Sequence, residues 1–257
     1  MKLIPLLLCP ALLLAGCSRK PSSEAAPAPA STPAVTFFHP DPATAGTISG
    51  RVRFTGPKPA HMPIDMSEDP ACVSAHKGKS FDESLQTGPG NGVQNAFVYV
   101  KSGLEGKTFA VPPTPVTIDQ RGCSFQPRVL GIQTGQQFEV INSDPVTHNI
   151  HPMAETNQAW NHSQGPGDPP IHRKFSKPEI MIPVKCNIHP WMHAFLGVLD
   201  HPFFAVTTDN GSFTIPNLPP GTYTIAVWQE KLGSREQQIT VAPHSTNTLN
   251  FDLKGKS

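Results

Sequence analysis

Residues 207–228 read TTDNGSFTIPNLPPGTYTIAVW, a pattern that suits strands and not a helix. Apolar residues return at every second place, at Phe213 and Ile215 and again at Tyr223, Ile225 and Val227. That is the period of a strand with one buried face. Asp209-Asn210-Gly211 and Pro219-Pro220-Gly221 supply the turn residues, so the stretch is expected to form hairpins. Thirty prolines and twenty glycines in 257 residues, with 15% charged, argue against a helical bundle and for short strands joined by turns. The expected fold class is all-β.

The same alternation recurs along the chain. In GTISGRVRFTG, Ile48, Val52 and Phe54 mark a strand that ends at Gly56-Pro57. Residues 57–94 are loop-like, dense in Pro, Gly and Ser. NAFVYVKSG then places Phe97, Tyr99 and Lys101 on one face and Val98 and Val100 on the other, and TNTLNFDLK closes with Leu249, Phe251 and Leu253. A G-x-V opening strand, the NGSFTIPNLPPGTYTI stretch and a final apolar strand, in that order, resemble the carboxypeptidase regulatory-like domain. The resemblance implies a prealbumin-like β-sandwich whose two parts, 46–115 and 202–257, are separated by residues 116–201. Such modules commonly serve as scaffolds and imply no particular activity.

The N-terminus reads as an export signal. Lys2 precedes the apolar run LIPLLLCPALLLAG, which is too short to span a bilayer comfortably. Leu14-Ala15-Gly16-Cys17 resembles the lipobox of bacterial lipoproteins. This implies a signal peptide over 1–16, lipid on Cys17, and a place on the periplasmic side of a bacterial membrane; the alternative is an ordinary signal peptide with a chance cysteine. Ser18 after the cysteine leans towards the outer membrane. Residues 17–45, rich in Pro, Ala and Ser, read as a disordered tether. Without 1–16 the chain has equal numbers of acidic and basic residues, so no nucleic-acid partner is expected.

Of the five cysteines, Cys9 would leave with the signal and Cys17 would carry lipid. In an oxidising compartment the remaining three cannot all pair. Cys186 stands among metal-ligating residue types, which leaves Cys72 and Cys123 to form a disulfide or to be two separately buried thiols.

Those residue types lie in Cys186-Asn187-Ile188-His189-Pro190-Trp191-Met192. A thiolate and an imidazole three residues apart on a turn can reach one ion, with a thioether approaching from a third direction. Two histidines, one cysteine and a weak axial methionine make the donor set of blue-copper electron-transfer sites. SDPVTHNIHP supplies the further histidine, with His148 and His151 both available. Their odd spacing points them to opposite faces of a strand, so only one can reach the ion.

Phe125–Asn142 with the pattern F-x-P-x-x-x-x-I-x-x-G-x-x-F-x-V-x-N, then His148-Asn149, then Cys-x-x-His-Pro-x-Met make residues 116–201 resemble a cupredoxin of the plastocyanin/amicyanin group. The resemblance implies a Greek-key β-sandwich holding one type 1 copper on His148, Cys186, His189 and Met192. It also implies that Asn149 hydrogen-bonds around the site and that His189 lies near the surface as the electron exit. Trp191 would be an apolar lid, and Pro190, lacking an N–H, would leave few hydrogen bonds to the sulfur. An excursion from Pro152 to about Ile180, with His162 and His172, departs from the family pattern, and His193 has no assigned role.

A binuclear copper centre would need a second thiolate in the loop, and a structural zinc site would close four strong ligands. No Gly-x-Ser-x-Gly or comparable arrangement names a catalytic nucleophile, so no enzymatic activity is expected. The expected function is a membrane-tethered copper protein passing single electrons to redox partners such as cytochromes or other copper proteins. The alternatives are copper storage or delivery, favoured by seven histidines between 148 and 201, and a scaffold without metal.

Overall fold

The computed structural model describes residues 36–57, 59–76 and 79–255. The expected signal peptide, the lipidated Cys17 and the tether as far as residue 35 lie outside these residues. Seventeen strands, the six-residue helix Pro70–Ala75 and the 3₁₀ turn Pro89–Asn91 make up the described regular structure, which is all-β.

The strands form four sheets, and which segments pair defines two sandwiches. In the outer one, Gly46–Phe54 runs antiparallel to Ser212–Leu218 and parallel to Thr246–Thr248 and Phe251–Leu253. Facing it is a sheet in the order Phe204–Val206, Phe97–Ser102, Gly221–Gln229, Gly233–Val241. Strands before residue 103 thus pair with strands after residue 203, and their apolar faces share one core that includes Ile48, Val52, Val98, Val100, Ile215, Ile225 and Phe251.

The inserted sandwich is built from residues between 116 and 199. Its larger sheet has the order Val129–Gln133, His193–Leu199, Glu179–Lys185, His148–Pro152, His162–Gln164. The smaller runs Phe125–Gln126, Val116–Gln120, Phe138–Asn142, Ile171–Arg173. Ile118, Ile132, Phe138, Val140, Ile150, Leu196 and Val198 fill the space between them. The order of the larger sheet lays His148–Pro152 next to Glu179–Lys185, the strand that runs into Cys186.

Two glycines join the sandwiches. Gly131 and Gly197 sit side by side in the larger sheet. A Cβ at Gly131 would stand 2.2 Å from the Phe204 ring and one at Gly197 2.5 Å from the Phe97 ring. The bare backbone strip thus receives these two rings, which stack at 5.6 Å between centroids. Arg128 of the inserted sandwich also grips Glu230 of the outer one through two hydrogen bonds of 2.8 and 3.1 Å, the forked pairing that suits guanidinium and carboxylate. Phe97 therefore faces the inserted sandwich while Val98 faces the outer core, so this strand is buried on both sides.

The expected hairpins at Asp209–Gly211 and Pro219–Gly221 are not hairpins. Both turns form, but each joins strands of opposite sheets: Phe204–Val206 and Gly221–Gln229 lie in one sheet, Ser212–Leu218 in the other. The turns arch over the core, and the Tyr223 hydroxyl pins the second by donating to the Pro219 carbonyl at 2.6 Å. Alternation along a strand fixes which face is buried and says nothing about which sheet it joins. The paired hairpin in this region is Gly221–Gln229 with Gly233–Val241.

The last part of the span read as tether belongs to the folded body. The Phe38 N–H donates to the Thr108 carbonyl at 2.6 Å, and its ring meets that of Phe109 edge-on at 5.7 Å. A lone aromatic pair in a proline-rich run carries no period, which is why composition alone assigned it to the tether.

Candidate metal centre

The loop after Glu179–Lys185 is closed by its own backbone. The Cys186 N–H donates to the Met192 carbonyl at 3.2 Å, and the Met192 N–H donates to the His189 carbonyl at 3.0 Å. The second bond makes His189–Met192 a β-turn with Pro190 at its second place, where a fixed φ suits the turn. Pro190 itself is exposed, whereas Cys186, His189 and Met192 are buried. Met192 is enclosed in the same apolar core as Cys186.

Asn149 ties this loop to the strand His148–Pro152. Its side-chain oxygen accepts from the Asn187 N–H at 2.6 Å and from the Cys186 thiol at 3.3 Å, and its amide group is held by Asn161 at 2.6 Å. The Cys186 sulfur in turn accepts from the backbone N–H groups of Asn149 (3.5 Å) and His189 (3.4 Å). The sulfur thus accepts from two backbone N–H groups while its thiol meets Asn149, so the expectation of few hydrogen bonds to it does not hold.

His148 and His189 meet beside this sulfur. Their Nδ1 atoms are 2.9 Å apart, and His189 Nδ1 is 3.8 Å from Cys186 Sγ. One ligand atom from each of the three lies within 4.8 Å of the others, and all three residues are buried. His151, the other candidate from the same strand, points elsewhere: its Nδ1 lies 3.4 Å from the Asn187 side-chain oxygen. His162 and His172 are exposed, and His172 bonds Gln137 at 2.9 Å, apart from the trio.

Each histidine hands its outer nitrogen to a carboxylate. His148 Nε2 is 2.8 Å from Asp144 Oδ2, and His189 Nε2 is 3.0 Å from Asp69 Oδ2. Neither aspartate stood out in the sequence. His189 is 3% exposed, and the Asp69 carboxylate on its outer nitrogen is partly exposed. Asp69 comes from the segment 57–94, where it caps the helix Pro70–Ala75 by accepting from the Ala71 and Cys72 N–H groups. Cys72 forms a disulfide with Cys123, and the Cys123 and Gly122 N–H groups donate to Asp144.

Carboxylates only accept, so each Nε2 carries a hydrogen, and Nδ1 is the nitrogen left on each ring for a proton or a metal. Two bare lone pairs at 2.9 Å would repel, and either a proton shared between the rings or a metal ion relieves this. The surroundings favour positive charge there. Burial opposes charge on the His148 ring, yet its hydrogen bonds with Asp144 and Cys186 hold it up at about 9. Burial also pushes the Cys186 thiol up, but His148 and the backbone N–H groups outweigh this and bring it down to about 7. The hydrogen bond to His189 holds Asp69 below the usual carboxylate range.

Trp191 covers one flank. Its ring lies 5.2 Å from that of His189, and its indole N–H donates to the Cys123 carbonyl at 3.1 Å. With the exposed His193 and with Phe195 it also lines a cavity of about 580 Å³, so it separates that space from the histidine.

Residues 199–254 match the carboxypeptidase regulatory-like domain. The outer sandwich described above completes that segment with strands from before residue 103. Similar solved structures include the copper-containing nitrite reductase from Thermus scotoductus SA-01, 26% identical with a TM-score of 0.32, over 39% of this chain and 26% of that one. The purple cupredoxin from Nitrosopumilus maritimus is 21% identical with a TM-score of 0.28, over 32% of this chain and 98% of that one. Amicyanin from Paracoccus versutus is 19% identical with a TM-score of 0.30, over 39% of this chain and 96% of that one. The chain thus spans about a quarter of the nitrite reductase and nearly all of the two smaller proteins. No curated protein sequence matches the chain.

The donor set fits a soft or borderline ion. One ligand atom each of His148, Cys186 and His189 lies within 4.8 Å of the others, with two of the separations at 2.9 and 3.8 Å, and these three residues would hold the ion. Both aspartates are engaged by N–H groups and imidazoles, and the trio includes no fourth His, Cys, Asp or Glu among the described residues. Three strong donors beside a buried methionine suit copper better than a closed structural zinc site.

Proposed function

We propose that this chain is a type 1 copper protein that carries single electrons between partner proteins of the cell envelope, tethered to the membrane by lipid on Cys17. The observation that supports the copper reading is the convergence of His148 Nδ1, Cys186 Sγ and His189 Nδ1 in a buried pocket, with both outer imidazole nitrogens already engaged. Bound there, copper would supply a one-electron couple.

The chain's own part is to hold the donors still. His148 is fixed by its strand and Asp144, His189 by its turn and Asp69, and Cys186 by two backbone N–H groups and Asn149. A site held by so many independent contacts changes little between two charge states, which suits electron transfer. Met192 and Trp191 limit water at the donors.

The tether, the envelope location and partners such as cytochromes or other copper proteins rest on the LAGC sequence and the donor chemistry. Stepwise reduction of the copper-loaded full chain tests the function. One electron taken up per chain, returned on reoxidation without loss of copper, is the expected result. Uptake of several cuprous ions with no reversible one-electron step would make the protein a copper store instead.

A further inference from the structure

In the described structure the two carboxylates and the disulfide form one frame behind the donors. From His189 the contacts run to Asp69, along the helix to Cys72, across the disulfide to Cys123, to Asp144 and so to His148. Asp69 Oδ2 and a sulfur of the disulfide lie within 4.8 Å of the His189 ring, and Asp144 with the other sulfur lies as close to His148. Asp69 stands 120 residues before His189 and belongs to the outer sandwich's long excursion, so the centre is completed from outside the inserted sandwich. It is also the partly exposed member, 27% exposed against 3% for the ring it holds, and thus stands between His189 and solvent.

Resting on the copper reading above, we propose that Asp69 is a positioning residue of the centre, which fixes His189 by its outer nitrogen and biases bound copper towards the divalent state. The physical basis is twofold. A carboxylate accepting from the second imidazole nitrogen sets the ring's tautomer and orientation and raises the basicity of the nitrogen that faces the metal. An anion this close also stabilises the more positive of two metal charge states, and it does so more strongly where water is excluded. Asp144 acts on His148 in the same way, but it lies next to the ligand strand, whereas Asp69 comes from the helix that the disulfide joins to Cys123.

Asp69 also caps the helix, so its removal could disturb the fold without touching the metal. Asparagine separates the two roles, because it caps as well as aspartate does but carries no charge. The experiment compares wild-type full chain with Asp69→Asn and Asp69→Glu, each copper-loaded, by midpoint potential and by cupric affinity in competition with a chelator. Asp69→Asn is expected to weaken cupric affinity by about 10- to 100-fold and to raise the potential. A ten-fold change in the cupric-to-cuprous affinity ratio corresponds to about 59 mV for one electron. Asp69→Glu is expected to recover part of both. An Asp69→Asn chain that matches wild type in potential and affinity overturns this inference alone. A wild-type chain that takes up no copper overturns the copper reading, and this inference with it.

Discussion

His148 and His189 turn the same ring nitrogen, Nδ1, towards each other across 2.9 Å, while His151, three residues after the first, faces Asn187 at the surface. The two candidates from this strand are therefore not interchangeable. His148→Ala is expected to weaken cupric affinity by more than about 100-fold, beyond the usual effect of losing an outer partner. His151→Ala is expected to leave it unchanged. A competition titration of both variants measures this.

The seam between the sandwiches depends on two missing side chains. Alanine at Gly197 would drive a methyl group to 2.5 Å from the Phe97 ring, and at Gly131 to 2.2 Å from Phe204. Both rings are packed and cannot swing away freely, so overpacking of about 1–3 kcal/mol is expected for either variant. Thermal unfolding should show a fall of several degrees in Tm, with one copper per chain still bound.

Tyr223 is buried, and its hydroxyl is the partner of the Pro219 carbonyl at 2.6 Å. Tyr223→Phe keeps the ring and leaves that carbonyl unpaired, for an expected loss of about 1–3 kcal/mol. Denaturant unfolding monitors it, and an unchanged midpoint would show that the arch is held by its prolines alone.

His201 gives the fold a sensitivity to acid. Its Nε2–H donates to the Val100 carbonyl at 2.9 Å and its Nδ1 accepts from the Phe203 N–H at 3.2 Å, so the buried ring is in use on both sides as the neutral form. Burial holds its pKa below the ordinary 6.5. As pH falls below 6.5 the unfolded chain binds a proton that the folded ring refuses, so unfolding is increasingly favoured. The stability His201 contributes is thus fully present above pH 6.5 and is lost on acidification, by at most about 1.4 kcal/mol per pH unit. In metal-free protein, unfolding free energies measured from pH 7 to 5 should fall less steeply for His201→Gln than for wild type.

The donor loop was legible because its chemistry is local. Cys186, His189 and Met192 lie within seven residues, whereas the choice of His148 over His151 came from the resemblance to the cupredoxin ligand pattern. The disulfide followed from setting Cys186 aside. Asp69 was not legible, because its role depends on a contact 120 residues away in a stretch without period. The local signs were an aspartate before a proline at a helix start, followed three residues later by a cysteine, and these mark a cap. That the cap's other oxygen would meet an imidazole depends on the tertiary fold. The two arches failed for the same reason: Asn-Gly and Pro-Pro-Gly specify a turn, while the sheet each strand joins is decided by partners far along the chain.

A cupric titration of metal-free full chain, followed by visible absorption, tests the central claim most directly. One equivalent should produce an intense thiolate-to-copper band that saturates, and folded Cys186→Ser should show no such band. A wild-type chain that stays colourless at one equivalent, or a Cys186→Ser chain with the same band, would contradict a centre built on His148, Cys186 and His189.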